Sequence, residues 1–289
     1  MRRTVVVLAL FCLSACTRSG GSALLASDLS SPVPTARQRM GSIENFVVYY
    51  GAGELDALAR FDLAIIDPAT LNRDEITDLR SLGTIVVGYL SVGEIEAGDP
   101  WIVDGTVPRS WILGRNPNWG SLYVDASQPG WQALMQGEAG KLLADYGFDG
   151  VFLDTVDTAI DVAPETGPGM VALIRGLRTA YPDAVVVQNR GFDLIPQVRD
   201  VIDAVMFEDL STTYDFDQAT YLRVEPDEEV VSMLADAHQE TGMPILALDY
   251  ADPTDRATAH RAVRIARSYG FVPAVATIEL DQIVDYGTT

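Results

Sequence analysis

Short apolar runs recur between residues 46 and 277, and each is followed by a turn and then by a stretch with the period of an amphipathic helix. This alternation is typical of parallel strands joined by crossover helices, because both faces of such a sheet are buried. The pattern predicts eight strands, at 46–50, 63–67, 85–90, 150–154, 185–189, 204–208, 245–249 and 272–277.

The intervening segments predict helices at 53–60, 73–82, 131–146, 170–181, 227–241 and 256–269, with a shorter turn at 192–200. Four of these helices are followed by a glycine just before the next strand, at Gly83, Gly147, Gly242 and Gly270. Glycine is the residue that most often ends a helix, so these positions support the predicted boundaries. Eight βα units over about 245 residues predict an α/β fold, a single TIM-type (β/α)8 barrel spanning 43–289. An open dinucleotide-binding sheet is disfavoured, because Gly51-Ala52-Gly53 lacks the third glycine of that fingerprint.

A long insertion follows the third predicted strand, from residue 91 to residue 130. It contains Trp101, Trp111 and Trp119, and Trp131 lies just beyond it. Two interpretations stay open for these rings. They form the wall of a saccharide groove, or they form a small satellite core that holds the loop in place.

The N-terminus has the features of a signal peptide, with Arg2 and Arg3 before a short apolar stretch and small residues before Cys16. Leu13-Ser14-Ala15-Cys16 resembles the lipobox of bacterial lipoproteins, which implies cleavage after residue 15 and acylation of Cys16. The alternative is an ordinary signal peptide and a soluble secreted protein. Residues 16–42 are rich in Ser, Gly, Ala and Pro and predict a flexible tether. We therefore expect an exported, lipid-anchored protein of the cell envelope.

The formal net charge of -21 disfavours nucleic acid as a partner, since both surfaces would be negative. A cationic substrate would suit this charge, although the solubility of an exported protein explains it equally well. No phosphate-binding loop or other cofactor motif occurs. We expect a monomer without a cofactor.

Polar side chains stand where the predicted strands end, and in a barrel of this type the carboxyl ends of the strands form the active face. These candidates are Tyr50, Asp67, Glu94, Asp154, Asp157, Asn189, Glu208, Asp249 and Tyr250. Carboxylates grouped in this way serve either glycoside hydrolysis or the binding of a divalent cation. A zinc site or a Ser/His/Asp triad is disfavoured, because His238 and His260 both fall on predicted helices.

Five segments resemble the endo-α-1,4-polygalactosaminidase family, glycoside hydrolase family 114: YLSVGEIE at 89–96, GFDGVFLDTVD at 147–157, VQNRG at 187–191, VMFED at 205–209 and LDY at 248–250. The resemblance implies a barrel that hydrolyses α-1,4-linked galactosamine polymers with paired acids at the ends of the fourth and sixth strands. By motif these acids are Asp154 and Glu208. We interpret Asp154 as the ionised partner and Glu208 as the proton donor.

The remaining candidates, Tyr50, Asp67, Glu94, Asp157, Asn189, Asp249 and Tyr250, are then expected to bind the substrate. Asp67 precedes Pro68 and is equally well explained as the turn that ends a strand. Two other functions remain open. One is a non-catalytic surface lipoprotein that binds glycans, and the other is a metal-dependent hydrolase, which would be inhibited by a chelator.

Overall fold

Eight parallel strands follow one another around a barrel in the computed structural model, which describes residues 34–287. We number them barrel strands 1 to 8: Phe46–Tyr49, Leu63–Ile66, Ile85–Ser91, Gly150–Asp154, Val185–Asn189, Ala204–Glu208, Ile245–Tyr250 and Val272–Ala276. Barrel strands with consecutive numbers pair in parallel, from strands 1 and 2 to strands 7 and 8. Strands 1 and 8 meet just past their ends, where the Tyr50 amide donates to the Leu280 carbonyl at 2.7 Å. The predicted (β/α)8 barrel is confirmed.

Helices lie between the strands at Leu55–Leu58, Arg73–Ser81, Pro100–Val103, Pro129–Lys141, Thr158–Val162, Gly167–Ala180, Ile195–Val198, Glu228–Thr241 and Arg256–Ser268. Their ends follow from local chemistry. The Asn72 side chain accepts from the amides of Asp74 and Glu75 and caps the helix Arg73–Ser81. Gly147 and Gly242 adopt the left-handed conformation that ends a helix before strands 4 and 7.

Two insertions rise from the carboxyl end of the barrel. The one after strand 3 forms a three-stranded antiparallel sheet from Glu94–Ile95, Ile112–Arg115 and Leu122–Val124. The one after strand 6 is a hairpin, Thr212–Asp215 paired with Thr220–Arg223, which the apolar pattern does not predict. Both stand over the mouth where the strand-end side chains lie.

Two layers of buried side chains fill the molecule. Residues such as Val48, Ile65 and Val187 point into the barrel, and their neighbours along each strand, such as Val47 and Ile66, pack against the helices. This alternation is the one that a closed barrel requires. Within residues 34–287, no helix is long and apolar enough to cross a membrane.

The segment at 34–42, assigned by sequence to the tether, contacts the amino end of the barrel. It contains the short helix Ala36–Arg39, and Arg37 forms an ion pair with Asp203 at 2.8 Å. Met40 is buried in the same cluster as the residues inside the barrel. The rest of the predicted tether, the signal peptide and Cys16 lie outside the described residues.

Candidate active site

Three adjacent barrel strands end in polar side chains that touch one another. Asp154 closes strand 4, Asn189 closes strand 5 and Glu208 closes strand 6. The Asn189 amide nitrogen donates to Asp154 Oδ1 at 2.8 Å and to Glu208 Oε2 at 2.7 Å. Because both oxygens are bonded to one nitrogen, they are separated by no more than the sum of these distances, about 5.5 Å. The two predicted catalytic carboxylates therefore face each other across one amide.

Two tyrosines hold the outer oxygens of this pair. The Tyr89 hydroxyl donates to Asp154 Oδ2 at 2.8 Å, and the Tyr250 hydroxyl donates to Glu208 Oε1 at 2.6 Å. Each carboxylate thus accepts two side-chain hydrogen bonds from rigid strands, which fixes its position. Tyr250 is among the predicted site residues, whereas Tyr89 is not. The sequence feature that could have identified Tyr89 is its position in strand 3, two residues before the strand end and on the same face as Ser91.

Burial raises the pKa of Asp154 to about 6, and the charge of Glu208 adds to the effect, while hydrogen bonds from Asn189 and Tyr89 oppose it. Tyr50 lines the same mouth with its ring edge-on to Tyr89, the centroids 5.4 Å apart. Burial and the charge of Asp154 keep the pKa of Tyr50 well above its ordinary value. Tyr50 is therefore a neutral hydrogen-bond donor at any physiological pH.

The residue directly after each of the three central side chains has a positive φ without being glycine. These are Thr155 at 61°, Arg190 at 52° and Asp209 at 63°. Left-handed backbone costs an ordinary L-residue about 1–2 kcal/mol, and a β-branched residue such as Thr155 adopts it rarely. The chain turns sharply at the same level on strands 4, 5 and 6, where the catalytic side chains project.

Arg190 and Asp157 form an ion pair at 2.7 Å in the wall of the mouth. Asp209 lies beside them, and burial together with the charge of Glu208 raises the pKa of Asp209 to about 7. Asp209 Oδ1 is buried and has no hydrogen-bond partner among the described residues. Asp157, which the sequence predicts to bind substrate, and Asp209 both line the groove.

Glu94 is buried away from the central pair. Its carboxylate accepts hydrogen bonds from Asn116 at 3.1 Å and Thr158 at 3.0 Å, and also from the Ser121 hydroxyl. Glu94 itself belongs to the insertion after strand 3, so its bonds with Asn116 and Ser121 hold that insertion together, and its bond with Thr158 ties the insertion to the segment after strand 4. The sequence predicts that Glu94 binds substrate. Glu94 does line the groove, but both of its carboxylate oxygens already accept hydrogen bonds from the protein.

Asp249 has the same role on the opposite insertion. It is 1% exposed, and its Oδ1 accepts from the amides of Ser211 at 2.6 Å and Thr212 at 2.7 Å. These residues begin the hairpin after strand 6. Asp67, also predicted to bind substrate, accepts from the Ala69 amide at 2.9 Å in a turn and does not line the groove. Asp249 and Asp67 therefore contact the protein's own loops.

The mouth opens into a groove of about 1090 Å³ between the two insertions. Its described lining includes ten carboxylates, Glu94, Glu96, Asp99, Glu138, Asp154, Asp157, Asp161, Glu208, Asp209 and Glu279. Arg190 is the basic residue in that lining. Such a groove attracts cations and repels polyanions. In the part of the chain that the structure covers, no group of three His, Cys, Asp or Glu side chains is placed to hold a metal ion.

The insertion after strand 3 uses its tryptophans in two ways. Trp101 and Trp111 pack against the hydrophobic core, and Trp131 is fully buried. Trp119 is 62% exposed and lines the groove. Trp101 is half-buried and also lines the groove, so both sequence interpretations apply to it, and Trp119 is the more exposed ring for stacking on a ligand.

The family model for glycoside-hydrolase family GH114 matches residues 29–289. An uncharacterized protein of Deinococcus radiodurans is 25% identical over 274 residues, which are 87% of this chain and 86% of its own. The glycoside hydrolase domain of PelA from Pseudomonas aeruginosa has a TM-score of 0.75 and 30% identity, covering 83% of this chain and 97% of that one. Aspergillus fumigatus Ega3, solved with galactosamine, shares the fold at a TM-score of 0.67 and 17% identity, over 86% of this chain and 95% of that one.

Proposed function

Because this chain belongs to glycoside-hydrolase family GH114, we propose that it hydrolyses an amino-sugar polysaccharide, with Asp154 and Glu208 as the catalytic pair. The observation that carries the proposal is the bridge that Asn189 makes between these carboxylates. Glycoside hydrolysis needs two carboxyl groups on opposite sides of the scissile bond, one to give a proton and one to stabilise or attack the anomeric carbon.

The separation of the pair supports a retaining mechanism. In retaining enzymes the two carboxyl groups are about 5–5.5 Å apart, which leaves no room for a water molecule between a carboxylate and the sugar. In inverting enzymes the two groups are about 6.5–9.5 Å apart. In the first step the Asp154 carboxylate attacks the anomeric carbon while Glu208 protonates the leaving oxygen, and the glycosidic bond breaks. In the second step Glu208 takes a proton from water, whose oxygen attacks the same carbon and releases Asp154.

Hydrogen bonding and side-chain length support this assignment of roles. With a pKa of about 6, Asp154 is ionised at neutral pH, as a nucleophile must be. Its two donors, Tyr89 and Asn189, favour that charged form. Glu208 has a longer side chain and hence the reach to follow an oxygen as it leaves.

The substrate proposal rests on the charge of the groove. A deacetylated amino sugar carries an ammonium group, and the carboxylates of the lining attract it. The motifs shared with endo-α-1,4-polygalactosaminidases favour α-1,4-linked galactosamine and cleavage within the chain. Galactosamine, the ligand in the Ega3 structure, is accordingly the first sugar to test.

The test measures product release from α-1,4-galactosamine oligomers by the wild type and by Asp154→Asn and Glu208→Gln. We expect both variants to lose at least about 10³-fold in kcat, since each removes a group that acts in the transition state. Asp183→Asn and Glu44→Gln are the matched controls, because both residues are exposed at the amino end of the barrel. NMR of the first product should show the α-anomer.

Unchanged turnover in both central variants would contradict the catalytic pair. Binding of oligomers by the wild type without any product would instead favour a non-catalytic glycan-binding protein. An activity that a chelator abolishes and Mg²⁺ or Ca²⁺ restores would favour the metal-dependent hydrolase.

We also propose that the protein is exported and anchored to the cell envelope through a lipid on Cys16. The support is the signal-like sequence before this cysteine. Metabolic labelling with a fatty acid should mark the wild type and leave Cys16→Ser unmarked. A protein that partitions identically with and without Cys16 would contradict the anchor.

A further inference from the structure

A second cavity of about 560 Å³ lies beside the catalytic groove, on the far side of the hairpin after strand 6. The outer hairpin strand Thr220–Arg223 and the loops that follow strands 7 and 8 line it. Tyr214 and Glu279 line both this cavity and the groove. The two spaces therefore share a rim, and one extended ligand can occupy both.

A row of four aromatic rings runs from the groove to the second cavity. Trp119 meets Phe216 at a centroid distance of 5.0 Å, and Phe216 meets Tyr214 at 5.2 Å. Tyr214 meets Tyr221 at 5.0 Å, and all three contacts are edge-to-face. Trp119 and Phe216 are 62% and 40% exposed, although isolated rings of this size usually avoid water. The row joins the two insertions above the mouth and presents apolar surface along the path.

Carboxylates surround the second cavity as they do the first. Hydrogen bonds from Thr254 and Thr258 lower the pKa of Asp252 and of Asp255, so both are ionised at neutral pH. Arg223, the cation in this lining, donates to Thr258 Oγ1 at 2.7 Å. With Glu279 the described lining has three acidic side chains against one basic one.

Thr277 adds a buried hydroxyl group that takes part in none of these contacts. It lines the cavity and is 1% exposed, and its hydroxyl has no hydrogen-bond partner among residues 34–287. A buried hydroxyl without a partner is costly and normally marks a site for water or a ligand. The cavity therefore combines an unused hydroxyl with anionic and aromatic surfaces.

We propose that the second cavity is a distal subsite, which binds a further cationic amino-sugar unit of the polymer whose scissile bond lies between Asp154 and Glu208. Its carboxylates attract the ammonium group, and the aromatic row contacts the units in between. The inference rests on the proposed function and extends it to a substrate long enough to reach past Tyr214.

The test compares short and long α-1,4-galactosamine oligomers, of about two and eight units, as substrates for the wild type and for the double variant Asp252→Asn/Asp255→Asn. Asparagine keeps an oxygen that can accept from the backbone amides of Thr254 and Thr258, and it removes the charge. We expect KM for the long oligomer to rise about threefold for each lost charge at low salt, an effect that shrinks as salt is added. KM for the short oligomer and kcat for both should stay as in the wild type.

Asp104→Asn/Asp227→Asn is the matched control. Asp104 accepts from the Thr106 amide in an exposed turn as Asp252 does from Thr254, and Asp227 caps a helix as Asp255 does. Neither lines the catalytic groove or the second cavity. The control should leave KM unchanged for both lengths, while Thr277→Val should raise KM for the long oligomer alone.

A double variant that leaves the long oligomer unaffected, or that affects both lengths equally, overturns the distal subsite while the hydrolase itself stands. A wild type that neither binds nor cleaves any galactosamine oligomer overturns the proposed function and the subsite together. Fully N-acetylated long oligomers, which carry no ammonium group, should be indifferent to the two lost charges.

Discussion

Four acidic residues at or just past the ends of barrel strands form two pairs with opposite surroundings. Asp154 and Glu208, at the centre of the mouth, take their hydrogen bonds from side chains of other barrel strands and face the groove. Glu94 and Asp249, on the rim, are buried and take most of theirs from the two insertions, with Thr158 as a further donor to Glu94. The lesson is that the origin of a carboxylate's donors, and not its place at a strand end, separates a catalytic group from an anchor.

Among the residues that position the central pair, Asn189 gives the largest expected effect when it is replaced by alanine. The variant removes the donor that both carboxylates share, so their repulsion rises and their geometry loosens. Loss of one preorganised donor typically lowers kcat about 10²–10³-fold. Steady-state kinetics on galactosamine oligomers measures the change. Gln188→Ala is not a suitable control, because the Gln188 side-chain amide donates to the carbonyl of Arg190, the residue after Asn189.

Retention of normal kcat in Asn189→Ala would show that the bridge is not needed to position the pair. A useful companion is Tyr250→Phe, which removes one donor from Glu208 alone and should reduce kcat less than loss of the shared amide does.

Asp249→Ala tests the rim. The substitution leaves the buried amides of Ser211 and Thr212 without their acceptor, and we expect the free energy of unfolding to fall by about 2–3 kcal/mol. Urea denaturation measures the loss. Asp252→Asn, an exposed carboxylate three residues away in the chain, is the control and should change stability by less than about 0.5 kcal/mol. An Asp249→Ala protein with wild-type stability and lost substrate binding would reverse our assignment of Asp249.

Asp154→Asn should act in the opposite sense on stability. Because its pKa is raised, folded Asp154 binds a proton more tightly than the unfolded chain does. The stability gained from this tighter proton binding is present at low pH and is lost as pH rises from about 4 through 6. At pH 7 the ionised group therefore destabilises the fold. We expect Asp154→Asn to raise the free energy of unfolding at pH 7 by about 1 kcal/mol, with little change at pH 4. A destabilised Asp154→Asn would place Asp154 with the anchors.

The same pKa predicts the acid limb of activity. If Asp154 must be ionised, kcat/KM of the wild type should fall about tenfold per pH unit below pH 6. Because the charge of Glu208 contributes to the shift, Glu208→Gln should lower the pKa of Asp154, while burial keeps it above the ordinary aspartate value. Carbon NMR of Asp154 during titration measures both proteins. An identical titration in the two would mean that the carboxylates are not coupled.

Trp119→Ala gives the smallest expected effect. The ring is exposed, so stability should not change, but the loss of a stacking surface should raise KM by about threefold to tenfold. Tyr146→Ala removes another exposed aromatic ring, which lies outside the groove, and serves as the control. Equal KM in the two variants would limit recognition to the carboxylates.

The barrel strands could be predicted almost residue by residue, because a buried parallel strand is a local apolar run. The fourth strand, Gly150–Asp154, has the predicted bounds, and the third ends one residue later than predicted. The hairpin Thr212–Asp215 with Thr220–Arg223 was missed, since its strands are half exposed and rich in Thr, Tyr and Asp. Its stability comes from partners such as Asp249 that are distant in sequence.

The candidate site was predictable in position and less so in role. The sequence predicts Asp154 and Glu208 as a pair, and the structure brings them together on Asn189. It could not show that Glu94 is already satisfied, because its donors Asn116 and Ser121 follow 22 and 27 residues later in an irregular insertion. Hydrogen-bond partners across loops are properties of the folded chain.

The left-handed residues after strands 4, 5 and 6 bear on how this enzyme can change. Glycine would relax the backbone at Thr155, Arg190 or Asp209, yet all three side chains form part of the wall of the groove. Thr155 accepts from the Gly93 amide at 2.8 Å, and Arg190 pairs with Asp157. Substitutions to glycine that stabilise the backbone at these positions would therefore also loosen the wall of the active site. In a library scored for both abundance and turnover, glycine at these three sites should separate the two traits.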